Sequence, residues 1–184
     1  MASLPRSVPL TRDDLDALPD DGHRYEILDG SLIVTPAPVP RHQMVVGELH
    51  YALKEATAGT GLVVFVAPFE VTLSLTTVLQ PDVVVCHREA ITRRGAEGPP
   101  VLVVEVLSPS TRYLDRGAKR LAYESTGVAH YWLADPADPS LVALCLEGGR
   151  YAEVASVGED QTWHCTDPVT VSLSPTLLLG PLAG

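Results

Sequence analysis

Two carboxylates stand where carboxylates are expensive. Asp82 opens the run Gln80-Pro-Asp-Val-Val-Val85, and Glu105 lies inside Val101-Leu-Val-Val-Glu-Val-Leu-Ser108. Strands this rich in Val and Leu read as buried on both faces, and an isolated carboxylate is costly to bury. A divalent cation or a basic partner would offset that cost, so Asp82 and Glu105 read as a cation site. Magnesium suits the pair, because it prefers oxygen ligands, is commonly held by one or two carboxylates and keeps several waters. Manganese, which also favours carboxylates, is the second candidate. Such a cation neutralises charge developing on phosphoryl oxygens and lowers the pKa of an attacking water, which is what phosphodiester hydrolysis requires.

Further candidates surround the pair. Lys119 falls on the predicted helix after the Glu105 strand, with Asp115 at i−4 and Tyr123 at i+4 on one face. As bare residues, Asp115 and Lys119 also read as an ordinary surface ion pair. His42 begins an earlier helix, where it is a phosphate contact, a proton-transfer group or a cap. Arg112 and Arg116 are the candidate substrate contacts on the Lys119 helix. They belong to the segment from Pro81 to His130, which carries seven Arg and Lys against six Asp and Glu, within a chain of net charge −10. The overall charge argues against the broad basic face of a sequence-nonspecific DNA binder and leaves this central segment as the polyanion surface.

Other chemistries find less support. Ser108, Ser110 and Thr111 lack a Gly-x-Ser-x-Gly elbow and read as helix caps. Cys86, Cys145 and Cys165 are odd in number and form no Cys-x-x-Cys pair, and Cys86-His87 and His164-Cys165 lack metal-ligand spacing. No phosphate loop or dinucleotide fingerprint occurs. The apolar runs fall short of a membrane span, and Met-Ala-Ser-Leu-Pro at the start lacks a basic region followed by an apolar one, so a cytoplasmic, membrane-free protein is expected.

The elements that must position these residues are readable in outline. Thr11-Arg-Asp-Asp-Leu-Asp-Ala-Leu reads as a short capped helix. Tyr25 to Leu28 and Ser31 to Val34, joined by Asp29-Gly30, form a hairpin signal, since Asp-Gly readily takes positive φ. Val45, Val46, Leu49, Ala52 and Leu53 recur at helical spacing from His42 to Lys54. Leu62 to Val66, Phe69 to Leu75, Asp82 to Cys86 and Val101 to Leu107 are expected to form one central sheet. A helix then carries Leu114, Ala118, Leu121 and Ala122 inward and ends near Gly127. The strand His130 to Ala134 follows, with Trp132 in the core, and then Leu141 to Leu146, Tyr151 to Val154 and Val169 to Leu173 as a hairpin plus an extended piece.

Six separated motifs carry a resemblance: Arg24-Tyr-Glu-Ile-Leu-Asp-Gly30, His42, Pro81-Asp82, Val104-Glu-Val-Leu-Ser-Pro-Ser-Thr111, Asp115-Arg-Gly-x-Lys119 and Tyr131-Trp-Leu-x-Asp135. Their order resembles the Uma-type restriction endonucleases, within the PD-(D/E)XK nuclease superfamily. The resemblance implies one restriction-endonuclease-like α/β domain over residues 1–184 with its motif-bearing core at about 20–155. The fold is a central mixed β-sheet flanked by helices, with an N-terminal β-hairpin and a C-terminal β extension. It implies a metal held by Asp82 and Glu105 with the Val106 carbonyl, Glu26 as a further carboxylate, and Lys119 as the catalytic lysine. The simplest Glu-x-Lys pattern expects lysine at position 107, where this chain has Leu107, and the family carries its lysine at the place of Lys119. His130 departs from the acid the family commonly shows there.

The leading expectation is therefore a magnesium-dependent endonuclease acting on nucleic acid, DNA ahead of RNA. A homodimer is compatible with it, since cutting a duplex takes two sites. The competing expectations are a non-catalytic nucleic-acid- or protein-binding module on a nuclease fold, and a hydrolase of a smaller phosphate ester.

Overall fold

The computed structural model describes residues 8–19 and 21–183, so the start Met1 to Pro5 lies outside them. Helix α1 (Arg12–Asp16) is closed by a capping box between Thr11 and Asp14. Strands β1 (Arg24–Leu28) and β2 (Ser31–Thr35) pair in full antiparallel register, from Arg24↔Thr35 to Leu28↔Ser31. Their turn residues Asp29 and Gly30 take φ of 48° and 77°, the positive values the Asp-Gly signal predicts. Helix α2 (Pro40–Ala56) begins on proline, whose missing N–H would be unbonded in a first turn anyway, and buries Val45, Val46, Leu49 and Leu53. The Pro36-to-Pro40 stretch thus breaks periodicity only up to its last residue.

Two principal sheets follow. One runs in the order β11-β10-β9-β8-β6-β3 and the other β2-β1-β5-β4-β7. The first contains β3 (Leu62–Val66), β6 (Val83–His87), β8 (Leu102–Val106), β9 (His130–Asp135), β10 (Ser140–Glu147) and β11 (Arg150–Gly158). The pair β8 and β9 is parallel and its neighbours are antiparallel, so the sheet is mixed. Strands β6 and β8 are buried on both faces, with Val83, Val84, Val85, Val103 and Val104 all at 0% exposure.

The expectation of one sheet for four runs needs correction. Phe69 to Leu75 instead yields β4 (Glu70–Ser74), which pairs with β5 (Thr77–Leu79) and β7 (Gly95–Glu97) in the second sheet. Its alternation of Glu70, Thr72 and Ser74 with Val71 and Leu73 suits a strand with one covered face, unlike the unbroken valines of β6. Strands β5 and β7, at three residues each, are too short to carry periodicity.

The first sheet is the middle layer. Helix α2 covers one face, through Val45, Leu49, Leu53, Val83, Val85, Val104 and Trp132. The second sheet and a later helix cover the other, through Leu28, Val71, Leu79, Val84, Val103, Tyr123 and Tyr131. That later helix is α3 (Arg112–Leu114), a π-helical turn (Asp115–Lys119) and α4 (Arg120–Thr126) run together, capped by Gly127 at φ 86°. Its expected inward face is a second correction. Ala118 is exposed and Leu121 is 59% exposed, while Asp115, Lys119, Ala122 and Tyr123 point inward. The polar residues win that face because they have partners there. The chain ends with β12 (Trp163–Cys165) and β13 (Val171–Leu173), which pair with each other, and a short 3₁₀ segment packed on α2. Among the described residues no helix is long and apolar enough to cross a membrane.

Gly95, where β7 meets β4, tests the second sheet. Its φ is +147°, and a Cβ there would stand 2.1 Å from the Glu70 carbonyl oxygen, a backbone atom that cannot swing aside. Gly95→Ala is expected to cost about 2–4 kcal/mol and to lower the melting temperature by roughly 5 °C or more. An unchanged melting curve would contradict the β4–β7 pairing.

Candidate active site

The register of the sheets brings acids from three places to one point. Asp82 immediately precedes β6, and its Oδ2 accepts the Val106 N–H from the neighbouring strand at 2.9 Å. Glu105 lies one residue before Val106, on the face that carries Val103 and Leu107. Glu26 projects from β1 of the other sheet, fully buried, and its Oε1 accepts the Gln80 N–H at 2.8 Å. Lys119, 3% exposed, enters from the π-turn and fills the space between them. Its Nζ lies 3.1 Å from Glu26 Oε1, 3.0 Å from Glu105 Oε1 and 3.8 Å from Asp115 Oδ1. The Tyr123 hydroxyl donates to the same Glu105 oxygen at 2.9 Å. A pocket of about 170 Å³ opens onto Asp82, Glu105, Asp115 and Lys119.

Asp82, Glu105, Lys119 and Glu26 are thus gathered, and His42 joins them. It is not a cap, because α2 has no side-chain cap bond and the ring instead places Nε2 3.1 Å from Asp82 Oδ2. Its Nδ1 is buried without a partner among the described residues. Arg112 and Arg116 are not in the pocket. Both turn to Asp135 at the end of β9, at 2.7 and 3.9 Å. Ser108 Oγ accepts the Thr111 N–H at 3.2 Å in the turn that leads into α3, while Thr111, at the N-cap of α3, makes no side-chain cap bond among the described residues.

Arg24 has no role in the sequence reading, yet its guanidinium sits 3.2 Å from Asp82 and 3.6 Å from Glu26. Arg24 opens β1 one residue ahead of the expected strand, and its position two before Glu26 puts both side chains on one face. Tyr123 is legible only as a member of the Lys119 face, since nothing in its neighbours announces a carboxylate for its hydroxyl.

Four carboxylates, Glu26, Asp82, Glu105 and Asp115, therefore face two permanent cations, Arg24 and Lys119. The shortfall falls unevenly. Burial opposes the charge of Asp82, but the His42 ring, Arg24 and the Val106 N–H more than reverse this and bring its pKa to about 2. Burial likewise opposes Glu26, and Lys119, Arg24 and the Gln80 N–H hold it below the ordinary glutamate range. Glu105 is the group left short. Burial pushes it up, Lys119 only partly offsets this, and the charges of Asp115, Asp82 and Glu26 add to the push, so that it reaches about 8. Burial also works against Lys119, but Glu105, Glu26 and Asp115 together raise its pKa above the usual lysine range, and the ammonium stays charged.

This donor set fits a hard divalent cation. Asp82 and Glu105 offer only oxygen, two carboxylates are enough for magnesium, and the excess of two negative charges that the four acids would carry if all were ionised is what such an ion would balance. The fit is not a finished cage, since among the described residues no three His, Cys, Asp or Glu side chains are grouped to hold a metal. Lys119 and Arg24 occupy the carboxylates instead.

Comparison with known proteins shows a family and a fold. A family model described as "Uma2: Putative restriction endonuclease" matches residues 12–178, further in both directions than the motif-bearing core. A solved structure described as a putative nuclease belonging to DUF820 from Anabaena variabilis ATCC 29413 superposes with a TM-score of 0.73 at 20% identity, covering 95% of this chain and 99% of that one. At that identity the likeness speaks for the fold. No curated protein matches the chain.

The raised pKa of Glu105 makes a pH prediction. Its folded value, about 8, exceeds the ordinary 4.5, so the native state holds a proton that the unfolded chain releases. The stability this contributes is present below 4.5 and is lost as pH rises toward 8. In chelator-treated protein, the melting temperature of wild type is expected to fall relative to that of Glu105→Gln across this window. Parallel curves for the two proteins would mean that Glu105 is ionised throughout.

Proposed function

The chain belongs to the Uma2 family, and from that membership and the charge excess around Lys119 we propose that it is a divalent-metal-dependent endonuclease hydrolysing phosphodiester bonds of nucleic acid, DNA ahead of RNA. The observation that carries the proposal is the shared ammonium, which holds Glu26 and Glu105 at 3.1 and 3.0 Å beside Asp82 and leaves Glu105 short of positive charge. In this reading Asp82 and Glu105 hold magnesium, or manganese, with the Val106 carbonyl as a third ligand. The bound cation would neutralise charge on the phosphoryl oxygens and lower the pKa of the attacking water. His42 and the Val106 N–H orient Asp82. Lys119 steadies the scissile phosphate or the water, and Glu26 keeps the ammonium in place when Glu105 turns to the cation. Arg112 and Arg116 meet flanking phosphates at the rim. Cutting both strands of a duplex takes two copies, and the edge strand β2 presents Leu32 and Val34, 40% and 49% exposed, for such a contact.

A cleavage assay over DNA and RNA with magnesium or manganese tests the proposal. Wild type is expected to cleave only with added metal. Asp82→Ala, Glu105→Gln and Lys119→Met should each lose at least about a hundredfold, roughly 2.7 kcal/mol of barrier. Calorimetry should show cation binding weakened in Glu105→Gln and retained in Lys119→Met. Because Lys119→Met leaves two buried carboxylates without their ammonium, a stability loss of about 3 kcal/mol is expected with it, and rates must be compared where both proteins are folded. Lys119→Arg should not rescue, since a planar guanidinium does not fit the ammonium's place. Equal cleavage by wild type and Lys119→Met would remove Lys119 from the chemistry. Nucleic-acid binding without cleavage by wild type would favour the non-catalytic module, a reading to which the contacts of Lys119 and Arg24 with Glu26, Asp82 and Glu105 lend support.

A further inference from the structure

A second and larger hollow, about 720 Å³, lies outside the Lys119 pocket, bordered by α1, the β3–β4 turn and the loop leading into β7. Phe65 and Phe69 stack in its wall with ring centroids 4.1 Å apart and planes 3° from parallel, and neither is fully buried. Arg12, Arg93 and Arg94 line it as well. Two of these arginines are engaged with its acids. Arg12 pairs with Glu70 at 2.6 Å and with Asp16 at 3.2 Å, and Arg94 pairs with Asp16. Arg93 is exposed and has no ion pair among the described residues. The lining therefore ends one positive charge in excess, in a chain of net charge −10.

Gln80 lines the same hollow and is 7% exposed. Its amide nitrogen donates to the Tyr25 carbonyl at 3.1 Å, but its Oε1 is buried with no partner among the described residues. A buried acceptor without a donor costs free energy, and a ligand N–H would relieve it. The hollow is also tied to the catalytic cluster by main-chain bonds. The Gln80 N–H donates to Glu26 at 2.8 Å, and the Ala67 N–H, in the turn between the two phenylalanines, donates to the Asp82 carbonyl at 3.3 Å.

We propose that this hollow is a nucleic-acid subsite that receives unpaired nucleotides flanking the scissile phosphate. A base packs against the Phe65–Phe69 pair, Arg93 meets a phosphate, and the Gln80 amide turns so that its Oε1 accepts an N–H from a base edge. Aromatic faces are open to bases that have left the helical stack and closed to bases within a duplex, which commits the subsite to unpaired strand. The proposal rests on the nucleic-acid reading of the Lys119 pocket and adds to it where the strand runs and in what form.

The test separates the two readings by measuring binding without cleavage. In chelator, fluorescence anisotropy follows a labelled single strand and the blunt duplex of the same sequence on full-length wild type, Arg93→Glu and Phe69→Ala. Wild type should bind the single strand more tightly than the duplex. Both substitutions should weaken single-strand binding at least about tenfold, and Arg93→Glu should also lower the salt dependence. Arg93 is exposed, so Arg93→Glu should melt like wild type, and with metal present it should raise KM while kcat stays near wild type. Unchanged binding by both variants, duplex preferred over single strand, or an acidic peptide bound more tightly than either would overturn the subsite. Single-strand binding that depends on Arg93 and Phe69 in a protein that cleaves nothing would keep the subsite and reject the nuclease.

Discussion

One ammonium holds the arrangement together. Lys119 Nζ lies within salt-bridge distance of Glu26 on the second sheet, Glu105 on the first and Asp115 on its own helix. Each of these groups is almost wholly buried. Remove the ammonium and no packing of hydrocarbon can replace it, because two strands would bring buried carboxylates together without a counter-charge. The two sheets and the helix are thus fastened at the point where the chemistry is proposed to occur. The apolar cluster on the same side of the first sheet, from Val103 to Tyr131, packs against that point.

Sharing one lysine between two carboxylates sets up the inequality between them. Glu26 has Arg24 and a backbone N–H in addition to the ammonium, and Asp82 has Arg24, His42 and a backbone N–H, so both are held ionised. Glu105 has Lys119 and the Tyr123 hydroxyl and is surrounded by three further acids. A carboxyl left short of positive charge inside a pocket is the natural place for an arriving cation, because binding there removes an existing penalty as well as adding a ligand. In the proposed reading, the same shortfall would make the cluster least comfortable without the cation.

Much of this was legible in the chain. Acids within the Val-rich runs of β6 and β8 could not be ordinary strand residues, and the i, i+4, i+8 relation of Asp115, Lys119 and Tyr123 placed them on one face. What was not legible is how that face competes with another. Leu114, Ala118, Leu121 and Ala122 make an equally good apolar stripe, and local periodicity has no means of choosing between them. The choice was made by Glu105 and Glu26, which are distant in sequence and offered Lys119 a partner that Leu121 did not need. The division of the strands between two sheets escaped for a similar reason. It depends on pairings such as Glu70↔Gly95 and Ile27↔Val78, and no short segment records them. Arg24 was overlooked because an arginine on a half-exposed strand is unremarkable until Asp82 is known to lie beside it.

Leu107 shows why the lysine sits where it does. Residues 105 and 107 project from the same face of β8, so a lysine at 107 would start close to Glu105 but within the cluster of Val103, Tyr123 and Tyr131. Leucine at 2% exposure completes that cluster instead. The helix that crosses above delivers an ammonium to the same carboxylate from the other side, and its π-turn buries Asp115 and Lys119 together. Such turns widen one loop of a helix and redirect its side chains, which lets a charged residue face inward without displacing the apolar contacts of Ala122 and Tyr123 farther along. What the site constrains is where the ammonium ends. Which element supplies it is left to the packing around position 107.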